Sequence, residues 1–193
     1  LQESCRRVYN QASKNKALIT YDSIGVGAGS GSNFKAMNIA KFGEGRQNAK
    51  DYIEYQGFNA GSSVKNPDGY YGDPDDKIKN KDHLSNAKAQ DWWRIADMFR
   101  NTYNAVNGKP YDTDNIIAIS SDCQHLDKLK TELSTPRRDF DTSGKVKVES
   151  KKDLSARDVK SPNLADAFIM AYMNEAESTG HSGVYVPSRK RAR

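Results

Sequence analysis

Two aspartates stand in contexts where a carboxylate can take part in chemistry. Asp22 ends the β-prone run Ala17-Leu-Ile-Thr-Tyr21 and precedes the glycine-rich Gly25-Val-Gly-Ala-Gly29, and reactive crevices of α/β sheets form at the carboxyl ends of strands. The same position also suits a carboxylate that only caps its turn by accepting backbone N–H bonds. Asp166 lies in Leu164-Ala-Asp-Ala-Phe-Ile-Met-Ala-Tyr-Met173, a segment apolar nearly all round. The pattern predicts a buried helix with Ser161 as N-cap and Pro162 at its first position. An ionised carboxylate there needs a balancing cation or a set of donors. A divalent metal shared with Asp22 is one solution; a buried arginine or a helix-terminus contact is another.

The elements that must position these acids alternate β and α. Leu1, Cys5, Val8 and Ala12 recur at helical spacing over residues 1 to 15, and Ala17 to Tyr21 follows as a buried strand. A second helix is predicted over 33 to 42 and another strand over Tyr52 to Phe58. Residues 60 to 81 are rich in glycine, proline, asparagine and aspartate and predict a long excursion with a hairpin around Tyr70 and Tyr71. Its Asp73, Asp75 and Asp76 lack the glycine and terminal glutamate of a calcium loop and read as a solvated turn. Ala89, Trp92, Ala96, Phe99, Tyr103 and Val106 place the longest helix over about 84 to 106, with Trp92 and Trp93 as core packing rather than a base-stacking platform. After the Gly108-Lys-Pro break come an apolar patch at 116 to 119, a helix over about 122 to 133 and a hairpin of strands 137 to 140 and 145 to 148. A short helix at 152 to 157 and a last one over 161 to 173 complete the pattern.

Composition narrows the function. The chain has 193 residues, 36% hydrophobic and 28% charged, which suits one α/β domain. No apolar run reaches the roughly 20 residues of a membrane span, and no leader pattern opens the sequence, so the expected setting is a cytoplasm. Cys5 and Cys123 read as free thiols. The net charge of +5 comes mainly from Arg189, Lys190, Arg191 and Arg193; this tail, residues 188 to 193, either touches nucleic-acid phosphate or is simply solvated. Neither a G-x-G-x-x-G nor a G-K-[ST] pattern occurs, which excludes a dinucleotide fingerprint and a Walker loop. His83, His125 and His181 have no metal-type spacing, and no Ser-His-Asp or Cys-His constellation can be built.

Tyr21-Asp-Ser-Ile-Gly-Val-Gly-Ala-Gly29 and Lys160-Ser-Pro-Asn-Leu-Ala-Asp-Ala-Phe168 closely resemble, in order and separation, the paired signatures of the nuclease domain of tailed-phage large terminase subunits, the motors that package viral DNA. Ala87-Lys-Ala-Gln-Asp-Trp-Trp93, Gly144-Lys-Val-Lys-Val148 before Ser150-Lys151, and Val184-Tyr-Val-Pro187 extend the resemblance over residues 1 to 187. It implies an RNase H-like fold, a mixed central sheet flanked by helices, whose acidic cluster binds two Mg²⁺ or Mn²⁺ ions and hydrolyses double-stranded viral DNA. Asp22 would be the strand ligand and Asp166 the ligand from the last helix, with Lys151 orienting or neutralising the phosphate. The implied partners are an ATPase domain of the same polypeptide, the small terminase subunit and the portal protein, in the cytoplasm of a bacterial host and away from membranes. The family carries a further essential aspartate on a first strand ahead of the opening helix, and that stretch is not among these residues. The expectation is therefore a fragment or a degenerate prophage product, with weakened metal binding and poor cleavage. Two alternatives keep the fold: an impaired domain that only docks DNA or portal, and a resolvase-type nuclease.

Overall fold

A computed structural model describes residues 1–45, 50–71, 78–172 and 184–185. The chain divides into two compact units, residues 1–62 and 63–193.

In the first unit, α1 (Gln2–Asn15) ends where Lys16 turns into the left-handed region at φ 52°. Its buried face is Cys5, Tyr9 and Ala12. Leu1 and Val8, expected on that face, are about half exposed, because the ring of Tyr9 takes the inward position and the helix is turned accordingly. β1 (Ile19–Asp22) pairs in parallel with β2 (Tyr55–Phe58), Ile19 opposite Tyr55 and Asp22 opposite Phe58. Parallel partners need a crossover, supplied by α2 (Ser30–Phe42). Phe34 on α2 joins Cys5, Tyr9, Ala12 and Ile19 in one core. Fully buried Asn38 fastens the layers together. Its Oδ1 accepts from the Tyr9 hydroxyl at 2.8 Å and the Ile53 N–H at 2.9 Å, and its Nδ2 donates to the Ile53 carbonyl, so its buried polar atoms are satisfied.

The second unit opens with the predicted hairpin: Tyr70 bridges Lys79 in antiparallel fashion, and the Tyr71 N–H donates to the Ile78 carbonyl at 3.0 Å. Asp73, Asp75 and Asp76 lie outside the described residues. A single turn, α3 (Asn80–His83), leads to α4 (Ala87–Val106). Leu84 and Ser85 are not helical as the periodicity suggested. Leu84 is buried in extended backbone and bridges Val146, and α4 starts after the N-cap Asn86, whose side chain accepts from the Ala89 N–H at 2.9 Å. α4 buries Ala89, Trp92, Ile95 and Met98. Tyr103 and Val106, assigned to that face by spacing, are exposed. The break after α4 is made by Gly108 at φ 64°, a conformation glycine adopts without strain.

The remaining elements are β3 (Tyr111–Asp112), α5 (Leu126–Ser134), β4 (Arg138–Phe140), β5 (Val146–Val148), α6 (Lys151–Ala156), α7 (Asn163–Tyr172) and β6 (Val184–Tyr185). β3 pairs antiparallel with β6, and β4 with β5 as the expected hairpin. Ile117 from the apolar patch enters the core with Trp92, Ile95, Met98, Ala165 and Ile169, so Trp92 is core packing as its spacing predicts. Both thiols are free, Cys5 buried and Cys123 half-buried. Parallel and antiparallel pairs both occur, so the architecture is mixed α/β; among the described residues each sheet has two strands.

Candidate functional site

Asp22 is the last residue of β1, and its carboxylate is exposed. Oδ1 accepts the Ile24 N–H at 3.1 Å, the turn-capping contact that its position suggests. The chain leaves the strand under tight control. The Ser23 N–H and hydroxyl both donate to the Phe58 carbonyl, at 2.8 and 2.9 Å. Gly25 sits at φ 61°, and the following single turn of 3-10 helix, residues 25 to 29, folds back so closely that a Cβ on Gly27 would collide with the Asp22 carbonyl oxygen. Gly25 and Gly27, which fit no nucleotide-binding register, have this local purpose: they let the backbone double back beside Asp22.

Asp166 is held differently. Its side chain is 24% exposed, and Oδ1 is 2.8 Å from the Nζ of Lys88, also 24% exposed, on α4. The helix around it is not buried on every side. Ala165 and Ile169 face the core, whereas Asn163, Ala167 and Ala171 face solvent. Alanine misled the pattern because it reads as apolar yet is above all a strong helix former with little surface to hide. The N-terminus also differs from expectation. The Ser161 hydroxyl has no hydrogen-bond partner among the described residues, and α7 begins one residue later than expected, at Asn163, after Pro162. Glu132 from α5 caps it instead: Oε2 accepts the N–H of Leu164 at 2.6 Å and of Ala165 at 3.2 Å. Those are two of the orphan donors of a helix start, and a carboxylate there also suits the helix dipole.

Lys151 is the first residue of α6, exposed and without an ion-pair or hydrogen-bond partner among the described residues. Ser150 caps that helix by accepting the Asp153 N–H at 3.1 Å. The approach to α6 is fixed by Glu149, which takes Arg157 through Nε at 2.8 Å and Nη2 at 2.6 Å and accepts the Arg137 N–H at 3.0 Å. The Arg157 guanidinium holds the Glu149 carboxyl below its ordinary range. One turn along α4 from Lys88, Asp91 is almost fully buried, 3.5 Å from the Lys65 ammonium, with Oδ2 unbonded among the described residues; burial pushes its pKa up. Arg189, Lys190, Arg191, Arg193 and His181 lie outside the described residues. His83 stacks on Tyr71, and His125 stands at the start of α5.

Asp22 thus belongs to the first unit, and Asp166 and Lys151 to the second. Among the described residues no group of three or more His, Cys, Asp or Glu side chains could together hold a metal ion. Each aspartate by itself offers the oxygen donors that hard ions such as Mg²⁺ and Mn²⁺ take, Mg²⁺ commonly binding through one or two carboxylates while keeping several waters. Lys88 and Glu132 escaped the sequence reading because each acts across 30 to 80 positions of chain. The only local signal was that Lys88 sits in the first turn of a long helix, where a cation is out of place.

Neither a protein-family model nor a curated protein matches this sequence significantly. Solved structures do. The nuclease domain of the large terminase subunit gp2 of bacterial virus Sf6 superposes with a TM-score of 0.72 at 26% identity, over 88% of this chain and 71% of that one. The chain shares the fold of a large-terminase nuclease domain. Its RNase H-like class follows from the same likeness. A mutant of that terminase nuclease domain with manganese aligns over 88% of this chain and 72% of the other, with a TM-score of 0.68 and 26% identity. A mutant solved with calcium gives a TM-score of 0.68 at the same identity, over 88% and 71%. Among the described residues of this terminase-like domain, no helix is long and apolar enough to cross a membrane.

Proposed function

We propose that this chain is a metal-dependent DNA endonuclease domain of a phage packaging motor, with Asp22 and Asp166 as metal-ligating carboxylates. The observation that carries the reading is the likeness of 88% of the chain to a terminase nuclease domain, a relative also solved with manganese and with calcium; the exposed carboxylate of Asp22 and the partly exposed one of Asp166 support it. Bound Mg²⁺ or Mn²⁺ supplies activation of the attacking water and stabilisation of the leaving 3′ oxygen.

The protein's own residues do the positioning. The Gly25–Gly29 turn fixes Asp22 at the strand end, and Glu132 and the Ile169 packing fix the turn of α7 that carries Asp166. Lys151, exposed at the start of α6, neutralises a backbone phosphate, and the basic residues Arg189, Lys190, Arg191 and Arg193 add sequence-independent phosphate attraction. The substrate is double-stranded viral DNA, cut during packaging in the bacterial host's cytoplasm, with the small subunit and portal as assembly partners.

The docking-only reading has one observation in its favour, the ion pair that occupies an oxygen of Asp166. Cleavage of plasmid DNA in Mn²⁺ decides between them, measured on the complete packaging protein. Asp22→Ala and Asp166→Ala should each abolish cutting and leave ATP hydrolysis largely intact. Undiminished cutting in both variants overturns the nuclease assignment of these residues.

A further inference from the structure

Lys88 is in an unfavourable place for a cation. It is the second residue of the 20-residue helix α4, whose first turn holds no acid, and the positive end of the helix dipole opposes an ammonium group there. What holds it is Asp166, 2.8 Å away on another helix, with both side chains about three-quarters buried. Four residues on, the ring of Trp92 lies 5.4 Å from the same ammonium nitrogen, within range of a cation–π contact.

We propose that Lys88 is the resident counter-ion of Asp166, and that a divalent cation gains this carboxylate only by displacing the Lys88 ammonium, which then stays over the Trp92 ring. The inference rests on the reading of Asp166 as a metal ligand. An ammonium and a dication cannot share Oδ1 without strong repulsion across a largely buried gap, so the two cations are alternatives. Asp166 is thereby neutralised before the metal arrives, which keeps α7 packed on α4. Among the described residues Asp22 has no comparable cation: its hydrogen-bonded partner is a backbone N–H. Metal entry at the two aspartates is therefore unequal, with the cost of exchange falling on Asp166 alone. Lys88 is in this sense a positioning residue that sets the metal affinity of its neighbour.

The test is calorimetric titration of the 193-residue chain with MnCl₂, comparing the unmodified chain with Lys88→Met, Lys88→Arg and Asp166→Asn. Removing the competitor frees the binding-competent form, so Lys88→Met should bind Mn²⁺ about tenfold more tightly. Lys88→Arg, which keeps the competing charge, should stay within about twofold of the unmodified chain, and Asp166→Asn should lose the site. In the unmodified chain, ¹⁵N-lysine spectra should show the Lys88 Nζ signal shifting as Mg²⁺ is added. Equal or weaker Mn²⁺ binding by Lys88→Met, with unchanged circular dichroism, overturns the exchange while leaving Asp166 a ligand. If the methionine variant does not fold, Lys88→Gln is read by the same criterion. Should Asp166→Asn bind Mn²⁺ as the unmodified chain does, the metal-ligand reading falls and takes the exchange with it.

Discussion

The end of β1 and the first turn of α7 each present an aspartate, and they hold it by opposite means. Asp22 is placed by backbone: a strand register, a left-handed glycine and a turn too tight for a Cβ at Gly27. Asp166 is placed by side chains: Glu132 of α5 on the helix end, Lys88 of α4 on the carboxylate, and Ile169 of its own helix in the core. The Asp22 turn is built by Ser23 to Gly27 with β2 supplying the strand register and the Phe58 carbonyl, whereas Asp166 draws its helix cap from Glu132, 32 positions before Leu164, and its counter-ion from Lys88, 78 positions before itself. Change in α4 or α5 therefore reaches Asp166 directly, whereas Asp22 is reached through its own turn and through β2.

The sharpest way to break this contrast is functional. Both aspartate-to-alanine variants should remove DNA cutting, and if only one does, the two acids do not share a reaction. Next in size is Ile169→Ala. It should lower unfolding free energy by about 2–5 kcal/mol and weaken Mn²⁺ binding by disordering α7, a loss seen in chemical denaturation. Gly27→Ala should cost about 1–3 kcal/mol, the scale of overpacking and local backbone strain, and weaken metal binding without touching the second core. An unchanged midpoint would show that the turn is not set by close approach to Asp22. The smallest effect concerns pH. Asp91 has a raised pKa through burial, so it binds its proton more tightly folded than unfolded. Its contribution to stability is present below the unfolded value of about 3.9 and is lost as pH rises through the folded one. Asp91→Asn should therefore raise the neutral-pH stability by roughly 1 kcal/mol and leave it nearly unchanged at pH 3, as scanning calorimetry would show. Glu149 works the other way: Arg157 lowers its pKa, so its contribution is present above the unfolded value and is lost on acidification.

The same contrast explains what the sequence disclosed. Helices and strands with period signals, such as α1, α4 and the β4–β5 hairpin, were legible to within a few residues, since their faces repeat along the chain. The faces themselves were less so. Tyr9 displaced Val8 from the buried side of α1 because a tyrosine ring with a hydrogen-bonded hydroxyl fills more of the core than a valine; the outward alanines of α7 read as apolar though they are exposed. The Asp22 turn was visible as a glycine pattern but not as a clearance requirement. Ser161 has the residue type of an N-cap, yet the contact was taken by Glu132 from 32 positions upstream, and no window over the motif contains that information. Lys88 and Asp166 lie 78 positions apart, beyond any local rule.

One consequence concerns transplantation. The segment Lys160–Phe168 looks like a portable cassette, a helix with its acid. Two of its amides, those of Leu164 and Ala165, terminate on a carboxylate that belongs to α5. Grafted into another scaffold without an acid at that point, the helix would start on bare amides and fray by the turn that carries Asp166. The smallest unit that can be moved is two helices, and Glu132 is part of its minimum description.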